Sequence, residues 1–137
     1  MILRLDHIGI AVKDLEEALR SWEGGLGLPA DHRETVPDQA VRTAFLPVGD
    51  THVELLESLT PEGPIGRFIA RRGEGIHHLC FLVDDLEAAL AACRQAGMAL
   101  IDETPRDGAH GRRVVFVHPK STHGVLIELS QKQEGAS

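Results

Sequence analysis

The chain has 137 residues, 42% hydrophobic and 26% charged, the size and balance of one folded domain rather than a disordered segment. Fourteen Lys and Arg against 21 Asp and Glu leave a net charge of −7, and there is no Tyr. Nucleic acid is therefore not an expected partner, for want of both basic charge and stacking surfaces.

Neither a membrane nor a secretory route is expected. The opening MILRLDH lacks a charged n-region and apolar h-region, and no apolar run approaches the roughly 18 residues of a span. Cys80 and Cys93 form no CxxC motif, so no redox pair, thiolate zinc site or disulfide framework is expected, and the cytoplasm is the expected compartment.

The first strand is read at His7–Val12, a short apolar run. Asp14 then stands as a helix N-cap, with Glu17 three residues on as in a capping box. Leu15, Ala18, Leu19 and Trp22 follow at i, i+3, i+4 and i+7, one apolar stripe of a helix. Gly24-Gly25 is expected to close it. A short strand is expected around Pro29–Arg33, then a hairpin from Val41–Val48 through Gly49-Asp50 into His52–Leu56. A connector at 61–73 carries a short helix from Pro64 to Arg72.

After the connector the pattern starts again. Residues 7–22 and 78–93 align at an offset of 71 with seven of sixteen positions identical, His and Asp among them. The second copy runs through a strand at His78–Val83, an N-cap at Asp85 and a stripe of Leu86, Ala89, Leu90 and Cys93, closed by Gly97. A short strand at Leu100–Thr104 and a hairpin of Arg113–His118 and Val125–Leu129 complete it. The whole chain, 1–137, is thus read as one α+β domain of two βαβββ modules, about 1–60 and 74–131. The polar tail Lys132–Ser137 is expected to fray.

The repeat singles out four residues. His7 and His78 open equivalent strands. Glu54 and Glu128 sit in Val53-Glu54-Leu55 and Ile127-Glu128-Leu129 on the last strand of each module. A carboxylate flanked by apolar residues needs a partner if it is buried. Two imidazoles and two carboxylates together suit a divalent ion with nitrogen and oxygen donors, and this donor set does not choose among Co, Mn, Ni, Mg and Zn. A single strand histidine is more often a core residue; the symmetric set of four is what favours a metal site. His77 competes with His78, but strand alternation points it to the other face, and the repeat aligns His78 with His7. His32, His52 and His123 are read as solvated, and His110 and His118 as surface or substrate-loop residues.

The stretches LDHIGIAVKDLEEAL, VGDTHVELLESL, GEGIHHLCFLVDDLEAAL and DGAHGRRVVFVHPKSTHGVLIEL resemble the vicinal oxygen chelate superfamily, which includes glyoxalase I, extradiol dioxygenases and bleomycin- and fosfomycin-resistance proteins. Within it the resemblance is to the methylmalonyl-CoA epimerase family, over about residues 3–131. It implies two tandem βαβββ modules forming a curved mixed sheet around a metal site. It also implies metal-dependent epimerisation of (2R)- and (2S)-methylmalonyl-CoA by proton transfer through a metal-stabilised enolate. The family's ligands fall on His7, His78 and Glu128, with a fourth position on Glu54; Glu128 and Glu54 are also the expected catalytic acid and base.

Some members carry a further carboxylate where this chain has Thr43, whose hydroxyl cannot act as a base at neutral pH. The substrate implied is an acyl-CoA, for which Lys120 and Arg112 are the expected binding residues, with Arg67, Arg71, Arg72, Arg106 and Arg113 as weaker candidates. A homodimer is the expected assembly. Glyoxalase I-type chemistry on a glutathione hemithioacetal, or a metal-free binding protein of the bleomycin-resistance type, are the alternatives.

Overall fold

In a computed structural model, residues 1–133 are described; the rest of the expected frayed tail lies outside them. The elements in chain order are β1 (Ile2–Ala11), α1 (Leu15–Leu19), β2 (His32–Val36), β3 (Val41–Val48), β4 (Thr51–Ser58), α2 (Pro64–Arg72), β5 (Gly75–Val83), α3 (Leu86–Gln95), β6 (Arg106–Asp107), β7 (Arg112–Val117) and β8 (Ile127–Lys132). The described residues divide into two compact units, His7–His77 and Met1–Asp6 with His78 to Gln133.

In the first unit β2, β3 and β4 run antiparallel in sequence, and β4 pairs parallel with β1. In the second unit β6, β7 and β8 do the same and β8 pairs parallel with β5. Each unit is thus a mixed sheet with a helix of the repeat packed on it, α1 or α3, and the first unit also carries α2 against β4. The registers carry the repeat down to single residues. Gly9 stands opposite Glu54 in one unit and Cys80 opposite Glu128 in the other; Phe45 faces Glu54 and Phe116 faces Glu128. Met1–Asp6 is fastened within the second unit, where the Met1 ammonium lies 2.9 Å from Asp84 Oδ1.

Both helices start and pack as their stripes require. Asp14 accepts from the Glu17 N–H and Asp85 from the Ala88 N–H, each at 3.1 Å. The Leu15 N–H donates to Glu57 Oε1 at 2.9 Å and the Leu86 N–H to Gln131 Oε1 at 2.7 Å, so a side chain from the last strand satisfies an orphan donor of each first turn. Leu15 and Leu19 pack with Ala44, Leu46 and Leu55; Leu86 and Leu90 pack with Val115, Val117 and Leu129.

The helix ends differ from each other, and one differs from expectation. α3 closes at Gly97 in the left-handed region (φ 76°), with the Gly97 N–H on the Arg94 carbonyl and the Met98 N–H on that of Cys93, both at 3.0 Å. α1 does not stop at Gly24-Gly25. It widens into a π turn over Arg20–Gly25 and closes at Gly27 (φ 74°), where the Leu28 N–H reaches the Trp22 carbonyl at 2.9 Å. The first module has one more residue between stripe and cap, and the wider turn absorbs it.

The strands after the helices also shift from their expected places. β2 lies a few residues beyond Pro29–Arg33. Leu100–Thr104 contributes only a bridge from Leu100 to Val117, and the paired residues are Arg106–Asp107. Both hairpins form, with Gly49 at φ 60° in the first turn, but the return strand of the second is Ile127–Lys132 rather than Val125–Leu129, so Lys132, expected in the frayed tail, pairs with Arg112. No helix among the described residues is long and apolar enough to cross a membrane.

Candidate metal centre

In the first unit the parallel register of β1 and β4 sets His7 opposite His52. Glu54 follows His52 by two residues, so strand alternation brings all three to one face. Their donor atoms lie within 4.8 Å of one another. His7 Nε2 is 3.6 Å and His52 Nε2 is 3.7 Å from the same oxygen, Glu54 Oε2. The two rings stand 4.9 Å apart, and Phe45 closes the far side of His52 at 5.1 Å.

Neither contact to Glu54 is a hydrogen bond. Glu54 Oε2 and His52 Nε2 are both fully buried and have no hydrogen-bond partner. A carboxylate held at 3% exposure with one oxygen left without a bonded partner costs about 1–3 kcal/mol or more, unless a cation compensates it. This unsatisfied oxygen, ringed by two imidazole nitrogens, fits a divalent ion with mixed nitrogen and oxygen donors.

In the second unit His78 and Glu128 form the equivalent pair. His78 Nε2 lies 2.9 Å from Glu128 Oε1, both side chains buried. Phe116 stands edge-on to His78 at 5.8 Å, the counterpart of Phe45 in the first unit. His77 turns the other way, against Phe68 at 4.9 Å.

The structure therefore brings His7 beside Glu54 at 3.6 Å and His78 against Glu128 at the closer 2.9 Å. Thr43 is buried, and its hydroxyl donates to the Glu34 carbonyl at 3.3 Å.

Two residues stand differently from their reading in the sequence. His52 is not solvated: its side chain is 16% exposed and its Nε2 wholly covered. The signal was present in the i, i+2 spacing to Glu54, but the pairing partner that encloses it was not. Arg112 is drawn inward, its Nη1 3.2 Å from Asp6 Oδ1 and 3.4 Å from Ser130 Oγ.

The other named cations and histidines lie toward solvent. Lys120 is exposed on a short turn, Pro119–Ser121, which the His118 ring caps by accepting from the Lys120 N–H at 3.0 Å. Arg67, Arg71, Arg72 and Arg113 are exposed; Arg106 lies 3.7 Å from Asp102. His32 is 40% exposed and 2.9 Å from Glu34, while His110 and His123 are exposed at positive φ.

A family model of the Glyoxalase/Bleomycin resistance protein/Dioxygenase superfamily matches residues 6–116. An ethylmalonyl-CoA/methylmalonyl-CoA epimerase of Cereibacter sphaeroides is 39% identical over 133 residues, covering 96% of this chain and 99% of that protein. Among solved structures, methylmalonyl-CoA epimerase from Mycobacterium tuberculosis superposes with a TM-score of 0.92 at 38% identity, covering 96% of this chain and 89% of that one. A variant of Streptomyces coelicolor methylmalonyl-CoA epimerase in complex with 2-nitronate-propionyl-CoA superposes with a TM-score of 0.91 at 36% identity, covering 96% and 99%.

Proposed function

The chain belongs to the Glyoxalase/Bleomycin resistance protein/Dioxygenase superfamily and shares a family with the methylmalonyl-CoA epimerases, and on that premise we propose that it interconverts the (2R) and (2S) forms of methylmalonyl-CoA. The observation that carries the reading is the repeated imidazole–carboxylate pair, His7 with Glu54 and His78 with Glu128, buried on equivalent strands of two modules.

In this reading His7, His78, Glu128 and Glu54 would hold one divalent ion. Such an ion supplies Lewis-acid charge beside the thioester oxygen, where negative charge develops as the α-proton leaves. Inversion needs a base on one side of the α-carbon and an acid on the other. Glu54 and Glu128 are the carboxylates for these roles: one takes the proton and the other returns one. Phe45 and Phe116 line the two pairs with apolar surface and keep the carboxylates dry. Lys120, exposed on its turn, is the proposed contact for a phosphate of coenzyme A, while Arg112 holds Asp6 from within.

The test is turnover of methylmalonyl-CoA in D₂O by protein reconstituted with divalent metal. Epimerised product should carry deuterium at the α-carbon, because a carboxylate that exchanges with solvent between turnovers must leave the label there. Glu54→Gln and Glu128→Gln should each suppress both inversion and label. No turnover by metal-replete protein, with turnover of the methylglyoxal–glutathione hemithioacetal instead, would defeat the reading.

A further inference from the structure

We infer that His52 is a further metal ligand, giving the first unit a three-donor set of His7, His52 and Glu54. The inference rests on the metal site proposed above and adds to it a donor with no counterpart in the second module. The register that equates Glu54 with Glu128 equates His52 with Leu126.

Three observations converge on this residue. His52 Nε2 is fully buried yet bonded to nothing, in a side chain otherwise packed between His7 and Phe45. An imidazole nitrogen in that position loses its water without recovering a partner, a cost of about 1–3 kcal/mol, unless something else binds it. Glu54 Oε2, at which it points, is unsatisfied in the same way.

The spacing is the third observation. Separations of 3.6 and 3.7 Å from Glu54 Oε2 to His7 Nε2 and His52 Nε2 are too long for hydrogen bonds, which are lost by about 3.6 Å. They suit donors sharing an ion: with bonds of about 2.1 Å, two ligands of a tetrahedral ion stand about 3.4 Å apart. A five-coordinate ion, whose ligands at roughly 120° stand about 3.6 Å apart, has room for this nitrogen beside the four donors named above.

The consequence is selectivity. A third imidazole favours Co, Ni and Zn, which accept nitrogen readily, over Mg, which prefers oxygen and water. His52 would then set which ion the protein retains.

The experiment is metal binding, read without turnover. Co²⁺ is titrated into the metal-free protein and followed by its visible bands and by competition with a chelator. His52→Leu installs the residue the fold carries at the equivalent place, and His52→Gln keeps a polar side chain of similar reach. Both should weaken Co²⁺ binding at least about tenfold, the loss that even an outer partner of a ligand causes, with altered band positions and intensities. Mg²⁺ affinity should change much less.

His7→Leu runs in parallel and should lose Co²⁺ in any case. Wild-type affinity and spectrum in both His52 variants beside loss in His7→Leu would overturn the inference and leave the metal site standing. Wild-type binding in His7→Leu, or no binding by the unaltered protein, would overturn both.

Discussion

Arg112 is where sequence and structure assign different work to one side chain, and a substitution separates them. As a substrate ligand it would be spared by folding and felt in KM. In the structure it is 11% exposed, Asp6 is 4% exposed, and the guanidinium bridges Asp6 and Ser130. Arg112→Met preserves most of the stem's packing and removes the charge, leaving a buried carboxylate with less compensation. Breaking a buried pair from one side costs about 3–5 kcal/mol. Arg4 Nη2 still lies 3.4 Å from the same Asp6 oxygen, from a position 36% exposed, so the low end applies, about 3 kcal/mol.

For a chain of this length that is a fall of about 10 °C in Tm. Urea denaturation should show a lowered midpoint at unchanged m. The double variant Asp6→Leu/Arg112→Met should recover part of the loss, since it leaves no orphaned charge. Stability equal to wild type in Arg112→Met, together with a tenfold or larger rise in KM for methylmalonyl-CoA, would refute the structural assignment and restore Arg112 as a substrate ligand.

His78→Ala should lose bound metal whereas His77→Ala should keep it, since His77 packs on Phe68; elemental analysis of the two purified variants decides between them. Leu90→Ala should lower stability by about 3 kcal/mol, within the usual 2–5 for a buried leucine, because Leu90 is 1% exposed in the cluster under α3; chemical denaturation measures it. Burial pushes the Cys93 thiol up from its ordinary value and Cys80 is fully covered. Thiolate is therefore scarce near neutral pH, and alkylation by iodoacetamide should be at least about tenfold slower in the folded than in the urea-unfolded chain, rising with pH.

Features that depend on neighbours within a few residues were legible from sequence. Asp14 and Asp85 cap because a short carboxylate three residues before a donor reaches it in any context. The Leu15–Leu19 and Leu86–Leu90 stripes bury because helical spacing leaves them nowhere else to go. Gly24-Gly25 misled because a glycine pair looks like a stop. The stop is the glycine placed to adopt positive φ after the last turn, and in this module that is Gly27. β2 and β6 were displaced from their expected places because short strands carry too little alternation to fix their bounds.

What the sequence could not carry was pairing between distant segments. Asp6 and Arg112 are 106 residues apart, and nothing local joins them. His52 and Glu54 share a face by alternation alone, yet only the parallel pairing of β4 with β1 puts His7 opposite His52 and closes the group. Glu54 and Glu128 were legible for a different reason: the chain states the motif twice, and the second statement supplies long-range information that a single copy lacks.

The duplication also has a chemical consequence. The two modules share strand pairings, helix N-caps, a histidine–glutamate pair and the aromatic residue facing each carboxylate, but not every donor or its spacing. His78 and Glu128 meet at 2.9 Å, a bonded pair. His7 and Glu54 stand at 3.6 Å, with His52 where the second module has Leu126. A substrate whose α-carbon lies between a thioester and a carboxylate is itself unsymmetrical, so two identical half-sites would serve it poorly. Proton transfer from either side asks for two carboxylates in like positions, and chelation of two unlike oxygens asks for unlike surroundings. A repeated frame with unequal donors meets both requirements. Under the proposed reading, the departure from symmetry at His52 is where this protein's own metal preference is written.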